Sequence, residues 1–327
     1  MPVALAAFTI GALAASFRRD RYSFMDKVVL ITGGSRGLGL VLARRLSERG
    51  AMLGLLARDA AELGSARRMI QGGSPVLVLP ADVTDPPSVQ RAIERLVHHF
   101  GRVDVVINNA GQILSAPFAE TTDDDFKAML DIHFWGTLNV TRAALPHMNG
   151  NGDSRIINIC SIGGRIPVPH LSAYCASKYA QAGLSAVMSE ELRGRGVRVT
   201  TVMPGLMRTG SHRHARFKGR AADEYRLFSL IGGLPLTSMS AERAADLILA
   251  ASARGDREAV IPFSVRQIAK VSALFPNVAV GALSAINNAL PGDGPDPAMP
   301  GAALPLGRAT RAAITLSERA ADRNNER

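Results

Sequence analysis

The chain has 327 residues, 47% of them hydrophobic and only 5% aromatic, which is enough for one large α/β domain with extensions. Its two cysteines, Cys160 and Cys175, exclude a disulfide scaffold and a cysteine-built zinc site, and they point to a reducing compartment. The net charge of +10 asks for a reason, but no helix-turn-helix, zinc-finger or aromatic RNA-binding pattern accompanies it, which argues against nucleic acid as a partner.

The first 17 residues, MPVALAAFTIGALAASF, are uncharged and run into RRDRY. A spanning helix needs roughly 17–25 apolar residues, so the segment is of borderline length. It lacks the positive start of a cleaved signal peptide. As an anchor it would leave the main body on the cytoplasmic side, because the arginines follow it. Two other readings stand beside that one: an apolar extension lying on the protein or membrane surface, or a chain that starts at Met25 with MDKVVLITGG. A cytoplasmic protein, attached to the inner membrane face if residues 1–17 insert, is the expectation.

From Lys27 the pattern becomes regular. KVVLIT (27–32) reads as a buried strand and GLVLARRLSERG, closed by Gly50, as a helix. AMLGLLA (51–57) is a second strand, after which Asp59 opens a helix and Glu62 completes a capping box. PVLVLPAD gives a third strand, PPSVQRAIERLVHHFG its helix, and VDVVIN (103–108) a fourth strand. One long helix is expected from Asp123 to Met148. RIINIC (155–160) is a fifth strand, with Cys160 as a small core residue, followed by a helix to about Arg193. VRVTTVMP (197–204) and EAVIPF (258–263) are the sixth and seventh strands.

Apolar strands alternating with helices predict an α/β fold: a single doubly wound parallel sheet of about seven strands, covered on both faces. Residues 26–263 form this domain, 1–25 an apolar extension, and 264–327 an appendage that is partly apolar and then polar. Residues 205–236 make a long connection past a strand's carboxyl end, where ligands bind in such sheets. Its basic run RTGSHRHARFKGR (208–220), including His212 and His214, reads as a solvated loop, since no third metal ligand is near.

The turn after the first strand is TGGSRGLG, Thr32 to Gly39. Glycines at 33, 37 and 39 let a pyrophosphate approach the backbone N–H groups, and the helix that follows offers its positive end. Ser35, Arg36 and Leu38 complete the candidate cradle. Asp59 lies near the position of a ribose-binding acid, but its capping role already explains it. Arg58 at the second strand's end and Arg36 in the turn favour a 2′-phosphate, hence NADP(H) over NAD(H).

Tyr174 and Lys178 are four residues apart in LSAYCASKYAQAGL and share a helix face. By these residues together the chain resembles the short-chain dehydrogenase/reductase family. The motifs are TGGSRGLG, Asp82 after the third strand, NNAG (108–111), Ser161 after the fifth strand, YCASK, and Pro204–Gly205 with Thr209. The resemblance covers about residues 26–263 and implies a Rossmann-type fold and hydride transfer between NADP(H) and an alcohol/carbonyl pair.

It further implies that Tyr174 is the acid/base, that Lys178 favours its phenolate and holds the nicotinamide ribose, and that Ser161 donates to the substrate oxygen. Asp82 and Val83 would border the adenine, and Asn109, Ala110 and Gly111 would line the cofactor. Pro204, Gly205 and Thr209 would cover the nicotinamide. An adjacent ammonium is expected to lower a phenol pKa from about 10. There is one departure: where the family carries a relay asparagine this chain has His133, three residues before Gly136. His133 can hold a water and titrate near neutrality, so it joins the candidate catalytic set. Asn139 lies too far along the helix to substitute.

The family also implies a homodimer or homotetramer. The substrate is a small alcohol or carbonyl, and lipid-like if the apolar ends bring the chain to a membrane. Two alternatives remain open: a 3-oxoacyl thioester reductase whose acidic carrier docks on the basic run, and a non-catalytic NADP-binding regulator.

Overall fold

The structure is a computed structural model and describes residues 22–148 and 153–326. The expectations about residues 1–17 therefore lie outside the described residues. Seven parallel strands form the central sheet: β1 (Val28–Thr32), β2 (Met52–Ala57), β3 (Val76–Pro80), β4 (Val105–Asn108), β5 (Ser154–Ile159), β6 (Val197–Pro204) and β7 (Glu258–Ile261). Their order is β7-β6-β5-β4-β1-β2-β3. The order reverses between β1 and β4, and the carboxyl ends there open the crevice in which α/β sheets bind ligands.

Each strand is apolar on both sides because both sides are covered. Val29 and Ile31 face the layer of α1 (Gly37–Ser47), α2 (Ala60–Met69) and a later helix over Ala241–Arg254. Val28 and Leu30 face the layer of α3 (Pro86–Phe100). On α3 the stripe Val89, Ala92, Ile93, Leu96 is buried at helical spacing. Burying Ile93 or Leu96 contributes roughly 1.5–3 kcal/mol each. Gly101, at φ 82, ends the helix in the left-handed region that glycine adopts without strain.

The long helix expected over 123–148 is three pieces. α4 (Asp123–Leu130) starts from a Thr122–Asp125 capping box, a π turn covers Asp131–Trp135, and α5 (Gly136–Ala144) follows. His133 is the middle residue of the π turn, and such bulges are frequent at functional sites. α6 (Ser172–Glu191) carries YCASK.

The 205–236 connection is also more ordered than a loop. It contains short strands at Met207–Arg208 and Arg216–Gly219 and a 13-residue helix, α7 (Ala221–Gly233). α8 is the Ala241–Arg254 helix of the first layer. The basic run is not solvated. His212 is only 6% exposed and sits 3.0 Å from Glu318, with Arg213 paired to the same carboxylate. Lys218 pairs with Asp125 and Arg208 bonds Ser238. The residues that complete this neutralisation lie about 100 positions away, beyond what local composition shows.

After β7 the chain forms α9 (Phe263–Leu274) and α10 (Pro276–Asn287), then returns. A strand at Asp296–Pro300 pairs with Arg216–Gly219, and α11 (Arg308–Ala313) and α12 (Thr315–Arg323) carry the end of the chain back to the glycine turn.

Candidate active site

The glycine turn is built for close approach. Gly33 and Gly37 have φ of 63° and 55°, and a Cβ on Gly39 would lie 2.0 Å from the Gly33 carbonyl oxygen. The neighbouring strand end holds the turn in place. Asn109 Nδ2 donates to the carbonyls of Thr32 (3.0 Å) and Gly33 (3.2 Å), and the amides of Asn109 and Ala110 both donate to Thr32 Oγ1. α1 opens at Arg36 with no side-chain cap, the arrangement that leaves a helix N-terminus to an anion. Gly33 to Gly39 and Asn109 to Gly111 thus form one cradle, of the shape a dinucleotide takes once the chain end leaves the Gly37 amide.

Two carboxylates meet at its edge. Asp59 caps α2 as expected, accepting from the amides of Ala61 and Glu62. Glu62 does not return the bond to complete a box. Its carboxylate accepts from Ser35 Oγ (3.0 Å) and Arg36 (2.6 Å) instead, because a guanidinium offers it a charge-assisted partner. Arg36 is therefore committed to Glu62, whereas Arg58 is 71% exposed, with Asp82 3.9 Å away. Asp82 itself accepts from Thr84, and the Val83 carbonyl accepts from Asn139. Asn139 ties α5 to the end of β3.

Ser161, Tyr174, Lys178 and His133 come together at the carboxyl ends of β4 and β5. Ser161 Oγ accepts from the Gly163 amide at 3.0 Å, and a Cβ on Gly163 would lie 3.3 Å from the Tyr174 ring and 3.5 Å from Ser161 Oγ, so the two side chains are neighbours. Lys178 is buried, with Nζ donating to the Ile159 carbonyl (3.0 Å) and Gln181 Oε1 (2.9 Å). The expected lowering of the Tyr174 pKa is not found. Burial pushes the phenol above its usual range, with the neighbouring Ser161 opposing it, while burial brings Lys178 down to about 8. Desolvation outweighs the ammonium because the ammonium points its donors at other acceptors.

His133 does not titrate near neutrality either. It is 0% exposed, and burial first, then the Lys178 charge, hold its pKa well below the ordinary value. Both ring nitrogens are engaged. Nε2 accepts from the Gln112 amide (3.2 Å), and Nδ1 lies 2.8 Å from Ser177 Oγ, whose own proton goes to the Tyr174 carbonyl. These partners assign a neutral ring protonated on Nδ1. The ring packs edge-on to Tyr174 at 5.5 Å, and a Cβ on Gly111 would come within 3.0 Å of Nε2.

Past β6, the Gly205 amide donates to the Ile261 carbonyl, and Thr209 is buried with Oγ1 accepting from the Ser211 amide. The end of the chain lies between this segment and the glycine turn. The Asn324 carbonyl accepts from the Gly37 amide (2.8 Å), and its side chain donates to the Thr209 carbonyl (3.2 Å). Asn325 donates to the Ser35 carbonyl (2.9 Å). Glu326 is buried, 3.7 Å from Arg36 and 3.1 Å from His214 Nε2, and burial pushes its carboxyl up to about 7.

Sequence reasoning missed Glu62's second role, Ser177, Gln181 and the 324–326 segment. Gln181 was within reach of spacing, one turn past Lys178. Nothing local marks residues 324–326.

The short chain dehydrogenase family model matches residues 27–218. The SadH protein of Mycobacterium tuberculosis, described as an oxidoreductase, is 34% identical over 249 residues, covering 75% of this chain and 90% of that one. A 3-ketodihydrosphingosine reductase of Bacteroides thetaiotaomicron is 34% identical over 184 residues, 56% of this chain and 65% of its own. A short-chain dehydrogenase structure from Streptomyces avermitilis superposes with a TM-score of 0.69 at 25% identity, covering 81% of this chain and 98% of that one. L-sorbose reductase from Gluconobacter frateurii, complexed with NADPH and L-sorbose, gives 0.65 at 23% identity, covering 74% and 97%, and shares the fold.

Proposed function

The chain belongs to the short-chain dehydrogenase/reductase family, and from that premise we propose that it is an NADP-dependent oxidoreductase that interconverts a carbonyl and an alcohol, with Tyr174 as the proton donor. The observation that carries the reading is Ser161 placed beside Tyr174, with Lys178 one turn further along the helix, next to the glycine turn.

The nicotinamide, when bound, supplies the hydride. The chain's own residues do the rest. By this reading Ser161 Oγ and Tyr174 Oη both donate to the carbonyl oxygen of the substrate. As hydride reaches the carbon, charge develops on that oxygen and the two hydroxyls stabilise it. Tyr174 then gives its proton to the oxygen. A phenol held protonated by burial suits this reducing direction. Lys178 offers an ammonium to the phenolate that remains. His133, neutral and fully bonded, braces the Tyr174 ring, and by this reading it is a positioning residue.

NADP(H) over NAD(H) rests on Arg58, the exposed guanidinium at the end of β2, with Arg36 as second contact once it leaves Glu62. A lipid-like carbonyl is the substrate class we favour, in line with a relative named for a 3-keto sphingoid base. A thioester on an acidic carrier is disfavoured, since the basic run is paired internally. A homo-oligomer through the α4–α5 segment and α6 is supported by exposed Trp135 in the π turn and exposed Tyr179 and Val187 on α6. Cytoplasmic placement, with attachment through residues 1–17, belongs to the same proposal.

The test is NADPH oxidation by the full chain against small ketones, 3-oxoacyl thioesters, and long-chain and steroid ketones, with Tyr174→Phe as blank. Turnover absent from the blank supports the reading. Silence across the panel with NADPH bound would turn it toward a non-catalytic cofactor sensor.

A further inference from the structure

Apolar side chains that a water-soluble surface would hide are concentrated in one place. Phe263, Ile268, Val271 and Leu274 on α9 and Val278, Val280 and Ile286 on α10 are all more than half exposed. No residue of α10 is buried. From Val271 to Gly292 there is no charged residue, and between Glu258 and Asp293 the only charges are Arg266 and Lys270, both positive and both exposed. α10 is apolar on more than one side: Val278 and Val280 are two positions apart and so project from different faces. A seam with another protein needs a single apolar stripe. A helix apolar on several faces is what lipid solvates.

We propose that the α9–α10 hairpin is a membrane dock that inserts into one leaflet of an anionic bilayer. Each helix has 12 residues, about 18 Å of length, too short to cross a hydrocarbon core of about 30 Å. The chain turns by 116° between them, so the pair enters and returns on the same side. Arg266 and Lys270 lie one turn apart on α9, at the level where the apolar stretch begins, and meet acidic headgroups there. Among the described residues no single helix is long and apolar enough to span.

The foot of the hairpin fixes what the dock would present to the bilayer. Val265 packs with Cys160, Met203 and Val260, and a Cβ on Gly205 would meet Val265 at 2.7 Å. α9 therefore starts beside the Pro204–Gly205 turn. Inserting the hairpin brings that rim of the site to the membrane surface, where a membrane-dissolved carbonyl enters without crossing water. The dock does not depend on the reaction, and its test reads no turnover.

The experiment is flotation of the full chain with phosphatidylcholine vesicles, with and without phosphatidylserine, and sedimentation velocity in their absence. Three variants are compared with the native chain: Leu274→Glu with Val278→Glu, Arg266→Gln with Lys270→Gln, and Leu236→Glu as a control at an exposed apolar residue outside the hairpin. The native chain and the control should float with the serine-containing vesicles. The glutamate pair should lower bound protein at least tenfold at unchanged melting temperature. The glutamine pair should weaken binding on the order of tenfold on anionic vesicles and little on neutral ones. A glutamate pair that floats like the native chain overturns the proposal and moves membrane binding elsewhere. So does a native chain that ignores vesicles and self-associates through contacts that the glutamate pair abolishes.

Discussion

Lys178 stands one helical turn past Tyr174, its ammonium 5.9 Å from the centre of the phenol ring, yet its hydrogen bonds go to Ile159 and Gln181. The pair is thus poised but uncoupled: a protonated phenol beside a buried cation whose pKa is down at about 8.

That cation gives stability a readable pH dependence. The folded pKa lies below the ordinary 10.5, so between about 8 and 10.5 the unfolded chain binds more protons and stability rises with pH. The penalty for burying the charge is fully present below about 8. Against Lys178→Met, the native chain should therefore gain roughly 2–3 kcal/mol between pH 7 and pH 10. Urea melts of both proteins at the two pH values give the difference; parallel melts would mean Lys178 keeps its ordinary pKa when folded.

His133 should leave no trace in the pH–rate profile. Both its nitrogens are bonded and its pKa is held well below 6.5, so kcat/KM for carbonyl reduction is expected to stay flat from pH 5.5 to 7.5. The first decline should come above about 8, as Lys178 discharges. A limb near pH 6.5 that disappears in His133→Asn would restore it as a proton relay. Otherwise His133→Asn should lower kcat together with thermal stability, since Ser177 and Gln112 lose a partner.

The local part of this site was legible in the sequence. The glycine turn, Asn109 to Gly111 and YCASK each combine residue type with a spacing that a strand end or a helix turn dictates, and the structure brings them to one crevice. The protonation states were not legible. They depend on where Lys178 points its donors and how deeply the rings are buried, and neither has a local signature. The histidines of the basic run were misread for the same reason: Glu318 and Glu326 lie more than 100 residues away in the chain.

Cofactor preference should turn on Arg58 more than on Arg36. Arg36 already holds Glu62 at 2.6 Å, whereas Arg58 is exposed and free to turn toward a 2′-phosphate. Arg58→Asp replaces a charge-assisted contact with repulsion, and such contacts contribute about 1.5–3 kcal/mol. The ratio of kcat/KM for NADPH over NADH should fall at least tenfold. An unchanged ratio would place the phosphate elsewhere.

Gly39 tests the turn itself. A Cβ there meets the Gly33 carbonyl oxygen at 2.0 Å, a backbone atom tied to Asn109. Gly39→Ala must open the turn and is expected to destabilise the protein by about 2 kcal/mol or more. Calorimetry should show the lower melting temperature and titration the lost dinucleotide. A stable variant that binds normally would mean the turn is looser than its packing indicates.

The last residues of the chain occupy what the glycine turn offers. The Asn324 carbonyl takes the Gly37 amide, and Glu326 sets a carboxylate among Arg36, Glu62, Arg213 and His214. A phosphate entering the turn competes for the same amide and the same guanidinium, so a chain ended at Arg323 should bind NADP+ several-fold tighter. The competition has a pH sign. Glu326 docks with its carboxyl raised to about 7 from 4.5, so the docked end holds the extra proton. Docking is therefore strongest below about 4.5 and weakens as pH rises to about 7. Affinity of the full chain should improve between pH 5.5 and 7.5, and the gap to the shortened chain should narrow. His214 is pulled below its usual range by burial and then by the Arg36 charge, and its titration opposes that of Glu326. Calorimetric titration of both chains at the two pH values measures it. If shortening weakens binding at both, the chain end supports the cradle and does not compete for it.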